Sequence, residues 1–216
     1  MHRAHVFLVL VLSALLAACG SSDTPLHSTG TNGTLVIPGD SNAVWSDLKD
    51  RLPLVPLPFR CELMGTDPEF ITLSPREQRL LNGSDYEQGV AVGLLPDTTR
   101  AFHVLWLGAA DSWLPTVTTF SMDGRRVTIQ ELVIGQCGPD PCYSCAETVH
   151  IDVKLEVLTT DTVSMCECDS HYAEIPGTCM RFVLKRTGVI GPTGALMSEV
   201  MKEPLPMPET TGAFPP

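Results

Sequence analysis

Residues 149–157 read VHIDVKLEV and carry the clearest periodicity in the chain. Apolar residues take every second position, and polar or charged residues take the positions between them. This period of two is typical of a β-strand with one buried face, because successive side chains point to opposite sides of a sheet. The pattern predicts a single strand over 149–157 whose inward side chains are Val149, Ile151, Val153, Leu155 and Val157.

Other short apolar segments on both sides of this stretch predict further strands, at 90–95, 101–107, 116–122, 126–134 and 181–185. The dipeptide Asp123-Gly124 lies between two of them and is a hairpin signal. One helix start is convincing, the sequence SPRE at 74–77, which has the form of a capping box with proline at the first helical position. The chain is therefore predicted to be mainly β, an antiparallel sandwich or small barrel with one short helix and disulfide-stapled loops.

The charge and hydrophobic content of the chain limit the kinds of partner that it is expected to bind. The 216 residues include 14 lysines and arginines against 25 aspartates and glutamates, which gives a formal net charge of −11. Binding to a phosphate backbone needs a basic face, so a nucleic-acid partner is not expected. The hydrophobic fraction of 44% is large enough to form a folded core, which separates this chain from disordered acidic polymers.

The first 19 residues have the layout of an export signal. The basic start MHRAH precedes an apolar run at 6–16. That run is shorter than the roughly 20 residues that span a bilayer, but it suits the core of a signal peptide. The sequence LAAC follows at 16–19. This order resembles the signal peptide of bacterial lipoproteins, and the resemblance covers residues 1–20 only.

The resemblance implies that residues 1–18 are removed and that Cys19 is the lipid-attachment site, with a diacylglyceryl group and acyl chains such as palmitate. In that family an aspartate after the cysteine often signals retention in the inner membrane. Gly20 stands at this position, so we expect the outer membrane, with its periplasmic or surface face left open. The alternative is an ordinary signal peptide cut after Ala18, with Cys19 free to join a disulfide.

Composition divides the rest of the chain into three parts. Residues 19–42 are rich in small and polar residues and predict a flexible, lipid-anchored tether. Residues 43–190 hold the predicted strands and form a β-rich, disulfide-containing domain. Residues 191–216 are rich in proline and predict a mostly unstructured tail that can lie along the domain and in which only 195–202 could be helical.

The eight cysteines are the most distinctive feature of the composition. Besides Cys19 and the isolated Cys61, six fall close together and are the candidate disulfide cysteines: Cys137, Cys142, Cys145, Cys166, Cys168 and Cys179. An exported protein meets an oxidising compartment, where disulfides are the default. Cys166 and Cys168 project to one side of an extended chain, so each is expected to pair outward. The odd number leaves one thiol over: Cys61 is the candidate, and its pairing into the cluster with another cysteine left free stays open.

Two other uses of the cysteine cluster stay open at this stage. One is a zinc site, because sulfur and nitrogen ligands suit tetrahedral zinc and are available from Cys142, Cys145, Cys166, Cys168 and His171. The other is thiol–disulfide chemistry at CYSC, residues 142–145. A reactive cysteine of that kind lies at a helix N-terminus, whereas a proline precedes this motif and a predicted strand follows it.

The sequence contains no nucleophile elbow, zinc-protease motif, phosphate-binding loop or dinucleotide fingerprint. His103 lies in an apolar strand and is expected in the core, and His150 lies on the polar face of residues 149–157. Several acidic residues are brought together only if the fold does so: Asp67, Glu69, Glu147 and Glu174. The tryptophans are either core residues or a sugar-stacking platform: Trp45, Trp106 and Trp113.

Together these features predict a cell-envelope lipoprotein whose folded part is a β-rich binding or structural module. The residues suggest no catalytic group, metal or cofactor. The expected partners are the membrane, through the lipid anchor, and an envelope protein or a glycan. The alternative is a secreted metal-binding, thiol-redox or hydrolytic enzyme that uses the cysteine–histidine cluster.

Overall fold

The computed structural model describes residues 41–63, 70–83, 88–96, 99–109, 113–135, 137 and 140–206. Within these ranges the helices are α1 (Ser41–Arg51) and α2 (Pro75–Asn82). The strands are β1 (Phe59–Glu62), β2 (Ile71–Thr72), β3 (Gly89–Leu94), β4 (Ala101–Ala109), β5 (Trp113–Ser121), β6 (Arg126–Glu131), β7 (Tyr143–Ile151), β8 (Glu156–Met165), β9 (Met180–Gly191), β10 (Gly194–Met197) and β11 (Met201–Pro204). The prediction of a mainly β chain is confirmed.

The strands form two open antiparallel sheets. Sheet I has the strand order β2-β3-β4-β5-β6, and sheet II has the order β1-β7-β8-β9-β10, with β11 also paired to β9. Their facing surfaces enclose the main core, which includes the fully buried side chains Leu105, Leu107, Val117, Val149 and Ile151. Of the two expected architectures, the described strands form the sandwich.

The two helices cover the other face of sheet I. Trp45 and Leu48 of α1 and Leu81 of α2 join the fully buried Phe120 of β5 in a second core. The rings of Trp45 and Phe120 are stacked, with centroids 4.1 Å apart. The sequence predicts no helix at α1 because only Trp45 and Leu48 are buried there, which leaves almost no apolar period to recognise.

The predicted capping box is present at the start of α2. The Ser74 N–H donates to Glu77 Oε2 at 2.7 Å, and Ser74 Oγ accepts from the Glu77 N–H at 3.4 Å. Gly83 ends the helix with φ 83°, a conformation that glycine adopts without steric cost. Arg51 of α1 pairs with the buried Glu77 carboxylate, so the two helices are also joined by an ion pair.

The strands predicted outside residues 149–157 are each found in the structure. They overlap β3, β4, β5, β6 and β9. The Asp123-Gly124 hairpin is also present, since Gly124 has φ 81° and its N–H donates to the Ser121 carbonyl at 2.9 Å.

The prediction of one strand over 149–157 is wrong, because the chain reverses within that stretch. β7 ends at Ile151 and β8 begins at Glu156, so Ile151 pairs with Val157 across the hairpin. Val153, expected in the core, is 69% exposed at the turn. The other expected core side chains are buried: Val149, Ile151, Leu155 and Val157. The alternation of apolar and polar residues therefore continues across the turn. The end of β7 and the start of β8 both direct their apolar side chains to the inner face of sheet II.

The side chain of Asp152 stabilises this reversal. Its Oδ1 accepts the N–H groups of Lys154 and Glu156, each at 2.8 Å. Leu155 adopts the left-handed conformation, with φ 64°. An aspartate that bonds backbone groups shortly after it in the chain is a turn signal, and it outweighs the strand periodicity here.

The expectation of a mostly unstructured tail is wrong for residues 194–197 and 201–204, which form strands, whereas residues 207–216 lie outside the described residues. β10 and β11 pair with successive parts of β9, and neither is helical. Pro192 lies in the connection before β10, and Pro204 is the last residue of β11. Proline has no backbone N–H, and at these positions no hydrogen bond in the middle of a strand is lost. Gly194 packs so closely against Thr128 that an added Cβ would lie 2.1 Å from its Oγ1.

Candidate functional site

Sheet I is covered on both faces, whereas the outer face of sheet II carries a shallow groove of about 770 Å³. Three apolar side chains on adjacent strands are exposed in it: Leu158 by 41%, Val189 by 52% and Leu196 by 80%. Val189 lies opposite Leu196 in the β9–β10 pairing. The three side chains thus form an apolar strip across β8, β9 and β10.

The groove also has an acidic end. Asp152 and Glu156 line it beside the half-buried His150, which pairs with Leu158 in the β7–β8 register. Among the described residues that line the groove, none is lysine, arginine, phenylalanine, tyrosine or tryptophan. The surface therefore suits apolar side chains accompanied by positive charge, and it lacks a ring on which a sugar could stack.

Sequence reasoning missed this groove for a specific reason. Leu158 directly follows the buried Val157, and two adjacent apolar residues in a one-faced strand place one of them outward. That break in the alternation was the available signal. Leu196 was hidden because it belongs to the expected tail, which becomes part of the groove only when β10 pairs with β9.

The tryptophans do not form an exposed platform in the described structure. Trp45 and Trp106 are buried in the helix-covered core, and Trp106 Nε1 donates to Thr118 Oγ1 at 2.9 Å. Trp113 is half-buried and lies against Phe70, with ring centroids 5.4 Å apart. His103 is likewise buried, with its Nδ1 3.0 Å from Thr119 Oγ1.

The six clustered cysteines form three disulfides. The pairs are Cys137–Cys145, Cys142–Cys168 and Cys166–Cys179. The prediction that this chain contains disulfide bonds is confirmed. The hairpin at 152–155 explains the long-range pair, because it places Tyr143 opposite Met165 and so brings the two cysteine-rich loops together.

Of the zinc ligand set considered from the sequence, the fold joins Cys142 and Cys168 in a disulfide and does not gather the remaining members around them. Cys142 and Cys145 bond to different partners, and so do Cys166 and Cys168. His171 is exposed, and it is absent from the groups of potential ligand atoms found close together among the described residues. Residues 142–145 also fail to act as one redox pair, because the two cysteines of CYSC are not joined to each other and Cys145 lies in β7.

Among the cysteines that the structure describes, Cys61 is the one outside a disulfide. It is buried in β1, opposite Val149 of β7. Burial, and then the nearby negative charge of Glu62, raise the pKa of the Cys61 thiol to about 11. The thiol is therefore protonated at neutral pH and is a poor nucleophile. Cys19 lies outside the described residues.

A pair of buried carboxyl groups lies on the inner face of sheet II. Glu147 is 3% exposed, Asp161 is fully buried, and the two residues are paired in the β7–β8 register. Glu147 Oε1 accepts the Ile134 N–H. Glu147 Oε2 and Asp161 Oδ2 have no hydrogen-bond partner within the described part of the chain. An unpaired buried carboxylate is costly, so this pair favours protonation or a bound cation.

The other acidic residues raised by the sequence do not join this pair. Glu174 is exposed and lies with Cys166 and Cys179. Asp67 and Glu69 lie outside the described residues. Burial raises the pKa of Asp161, and burial followed by the Asp161 charge raises the pKa of Glu147 despite the backbone N–H groups that it accepts. No motif in the sequence marks Glu147, and it meets Asp161 only because β7 pairs with β8.

Replacing Asp161 by asparagine is expected to make stability less dependent on pH. Because the pKa of Asp161 is raised on folding, the folded chain holds its proton more tightly than the unfolded chain does. The wild type therefore loses stability as the pH rises above the ordinary aspartate value of 3.8. The melting temperature of Asp161→Asn minus that of the wild type should increase as the pH is raised from 4 to 7.5. A difference that is constant or falls over this range would contradict the assignment.

No protein-family model matches this chain, and no curated protein or solved structure is significantly similar to it. Among the described residues, neither helix has the length and apolar character needed to cross a bilayer. Three features of the molecule point toward a function: the lipoprotein-like signal at residues 1–20, the groove of sheet II, and a cluster of the half-buried Cys137 and Cys145 with the buried Asp161.

Proposed function

We propose that this protein is a lipid-anchored envelope protein whose sandwich domain binds a partner through the groove of sheet II. The observation that carries the proposal is the apolar strip of Leu158, Val189 and Leu196, which no described element covers. A contiguous exposed apolar surface is costly in a monomer and typically marks an interaction site.

The envelope location is supported by two separate features. The sequence LAAC at 16–19 follows a basic start and an apolar run, the order that lipoprotein signals share. The three disulfides suit an oxidising compartment, because cytosolic thiols are kept reduced. Acyl chains on Cys19 would hold the domain at the outer membrane, with residues 19–42 as the tether.

The chemistry of the groove favours a polypeptide partner. Asp152 and Glu156 place negative charge at one end of an apolar strip, and the chain as a whole carries a charge of −11. An envelope protein segment that combines apolar side chains with lysine or arginine complements both features. A glycan is the less favoured partner, because the described lining offers no phenylalanine, tyrosine or tryptophan.

Replacing Cys19 by serine tests the anchor. The wild type should incorporate labelled palmitate and sediment with membranes, whereas Cys19→Ser should remain unlabelled and appear unprocessed or soluble. Cys61→Ser is the matched control, since it removes a cysteine from the folded domain; it should remain labelled. Labelling of Cys19→Ser, or its full retention in the outer membrane, would refute the anchor.

Introducing a positive charge into the groove tests the binding surface. The defined probes are a synthetic peptide of alternating leucine and lysine, its leucine–glutamate counterpart, and an oligosaccharide. The leucine–lysine peptide should bind best, and Leu196→Lys should weaken that binding about tenfold, equivalent to about 1.4 kcal/mol. Leu196 is 80% exposed, so this change should leave the fold intact.

Val200→Lys is the matched control, because Val200 is an exposed apolar residue outside the groove and receives the same charge change. It should weaken peptide binding by less than about twofold. Equal losses in the two variants would attribute the effect to net charge and overturn the groove assignment. Binding of the oligosaccharide, with no binding of either peptide, would establish a glycan partner instead.

A further inference from the structure

We propose that Cys137, Cys145 and Asp161 form a zinc site when the Cys137–Cys145 disulfide is reduced. Both sulfur atoms and a carboxylate oxygen of Asp161 lie within 4.8 Å of one another. Asp161 Oδ1 is 3.8 Å from Cys137 Sγ. Two thiolates and a carboxylate are ligands that Zn²⁺ accepts in tetrahedral sites. This site differs from the zinc ligand set considered from the sequence, which the fold does not assemble.

The spacing of these atoms is close to what a shared zinc ion requires. Ligand atoms bound to one tetrahedral Zn²⁺ lie about 3.3–3.8 Å apart, because zinc–oxygen and zinc–sulfur bonds are about 2.0–2.3 Å long. Breaking the disulfide lets the two sulfurs separate to this distance. The carboxylate is already beside Cys137, so little rearrangement of the backbone is needed.

The surroundings of the cluster favour a cation. Asp161 is fully buried and its Oδ2 has no partner within the described structure, and the same is true of Oε2 on the adjacent Glu147. Arg186 of β9, which pairs with Thr159 in the β8–β9 register, is engaged elsewhere: it donates to the Val133 and Ser198 carbonyls, both at 3.2 Å. Lys185 of the same strand forms an ion pair with Glu203. The negative charge inside this part of sheet II is therefore left without a described positive partner.

Occupation of the site is coupled to the redox state of the two cysteines. A dithiol reductant supplies two electrons and two protons, the S–S bond breaks, and the reductant leaves as its own disulfide. Zinc then displaces the two thiol protons to solvent and forms two Zn–S bonds and one Zn–O bond to Asp161. In the oxidised protein the sulfurs are not thiolates and cannot act as strong ligands. The site is thus closed by oxidation and opened by reduction.

The chain contains its own matched control. Cys166, Cys179 and Glu174 also bring their ligand atoms within 4.8 Å of one another, but Glu174 is exposed. An exposed carboxylate is hydrated and neutralised by solvent, so it gains less from a metal ion than the buried Asp161 does. If affinity comes from the buried charge, Asp161→Asn and Glu174→Gln should differ although each removes one carboxylate.

The test is a competition titration of the full chain with zinc chloride against a chromophoric chelator, with and without a dithiol reductant. The oxidised protein should take up no stoichiometric zinc, and the reduced protein should bind it. Asp161→Asn should weaken the reduced-state binding about tenfold, and Glu174→Gln by less than about twofold. Equal zinc binding by the oxidised protein, an unchanged Asp161→Asn, or an equal loss in Glu174→Gln would overturn the proposal.

A second variant keeps the proposal testable if Asp161→Asn folds poorly. Cys137→Ser combined with Cys145→Ser removes both sulfur ligands and keeps the buried carboxylate, and its oxidised form retains the other two disulfides. Circular dichroism should show the wild-type strand content, and the reduced variant should lose the tightest zinc-binding step. Zinc binding by this variant at wild-type affinity would show that the metal is held elsewhere.

Discussion

Replacing Phe120 by alanine is expected to lower the free energy of unfolding by about 3–5 kcal/mol, the usual cost of removing a fully buried aromatic side chain. Phe120 has no exposed surface and stacks on Trp45 with ring centroids 4.1 Å apart. Its loss would open a cavity between sheet I and α1, and that helix has few other buried residues. Urea unfolding followed by tryptophan fluorescence and by circular dichroism measures the effect.

Met122→Ala is the control for this substitution. Met122 lies two residues further along the chain and is 55% exposed, so its truncation should cost less than about 0.5 kcal/mol. A loss below about 1 kcal/mol for Phe120→Ala would mean that α1 does not depend on this contact. Such a small loss would contradict the finding that the two helices and sheet I share one buried core.

Removing the Cys142–Cys168 disulfide is the second change with a large expected effect. The paired cysteines are 26 residues apart in sequence, and a loop of that length constrains the unfolded chain by about 3.5 kcal/mol in the chain-entropy model. The variant Cys142→Ala with Cys168→Ala should lose about that amount. Unfolding in urea without reductant, with the other disulfides verified by mass, gives the value.

The shorter Cys137–Cys145 link supplies the comparison. Its cysteines are 8 residues apart, so replacing both by alanine should cost about 2.5 kcal/mol, less than loss of the longer link. The prediction is that removing the Cys142–Cys168 disulfide lowers the free energy of unfolding more than removing the Cys137–Cys145 disulfide does. A larger loss for the short link would mean that its contact with the buried Asp161, rather than loop closure, dominates its contribution.

The zinc proposal and the groove proposal concern opposite faces of sheet II and can fail independently. The groove uses outward side chains such as Leu158, whereas the zinc site uses Asp161, whose side chain points inward. Alternate residues of the single strand β8 therefore serve both. If the reduced protein still binds the peptide in the groove while it binds zinc at Asp161, the two functions are separate.

Several features of the fold follow directly from short-range sequence signals. The capping box at 74–77 and the hairpin at Asp123-Gly124 each depend on backbone groups within four residues, so the sequence contains all the information needed. The strands rich in apolar residues, such as β4, are recognisable because both faces of sheet I are covered. Helix α1 lacks such a signal, since its position depends on contacts with β5.

The candidate sites were predictable only in part. The grouping of six cysteines, together with a start that resembles an export signal, indicated disulfides, but their partners depend on where the chain reverses. The buried pair of Glu147 and Asp161 had no motif, because the two residues meet through β7–β8 register. The groove required both the hairpin at 152–155 and the pairing of β10 with β9.

The sequence by itself thus determined the class of fold, the local caps and turns, and the chemical character of the cysteine cluster. Those properties arise from side-chain periodicity and from bonds between near neighbours along the chain. Only the tertiary structure decided that residues 149–157 form a hairpin, that residues 194–204 contribute two strands to a sheet, and which cysteines pair. These outcomes depend on contacts between residues far apart in sequence, and a pattern of alternating residues looks the same whether the chain continues or turns back.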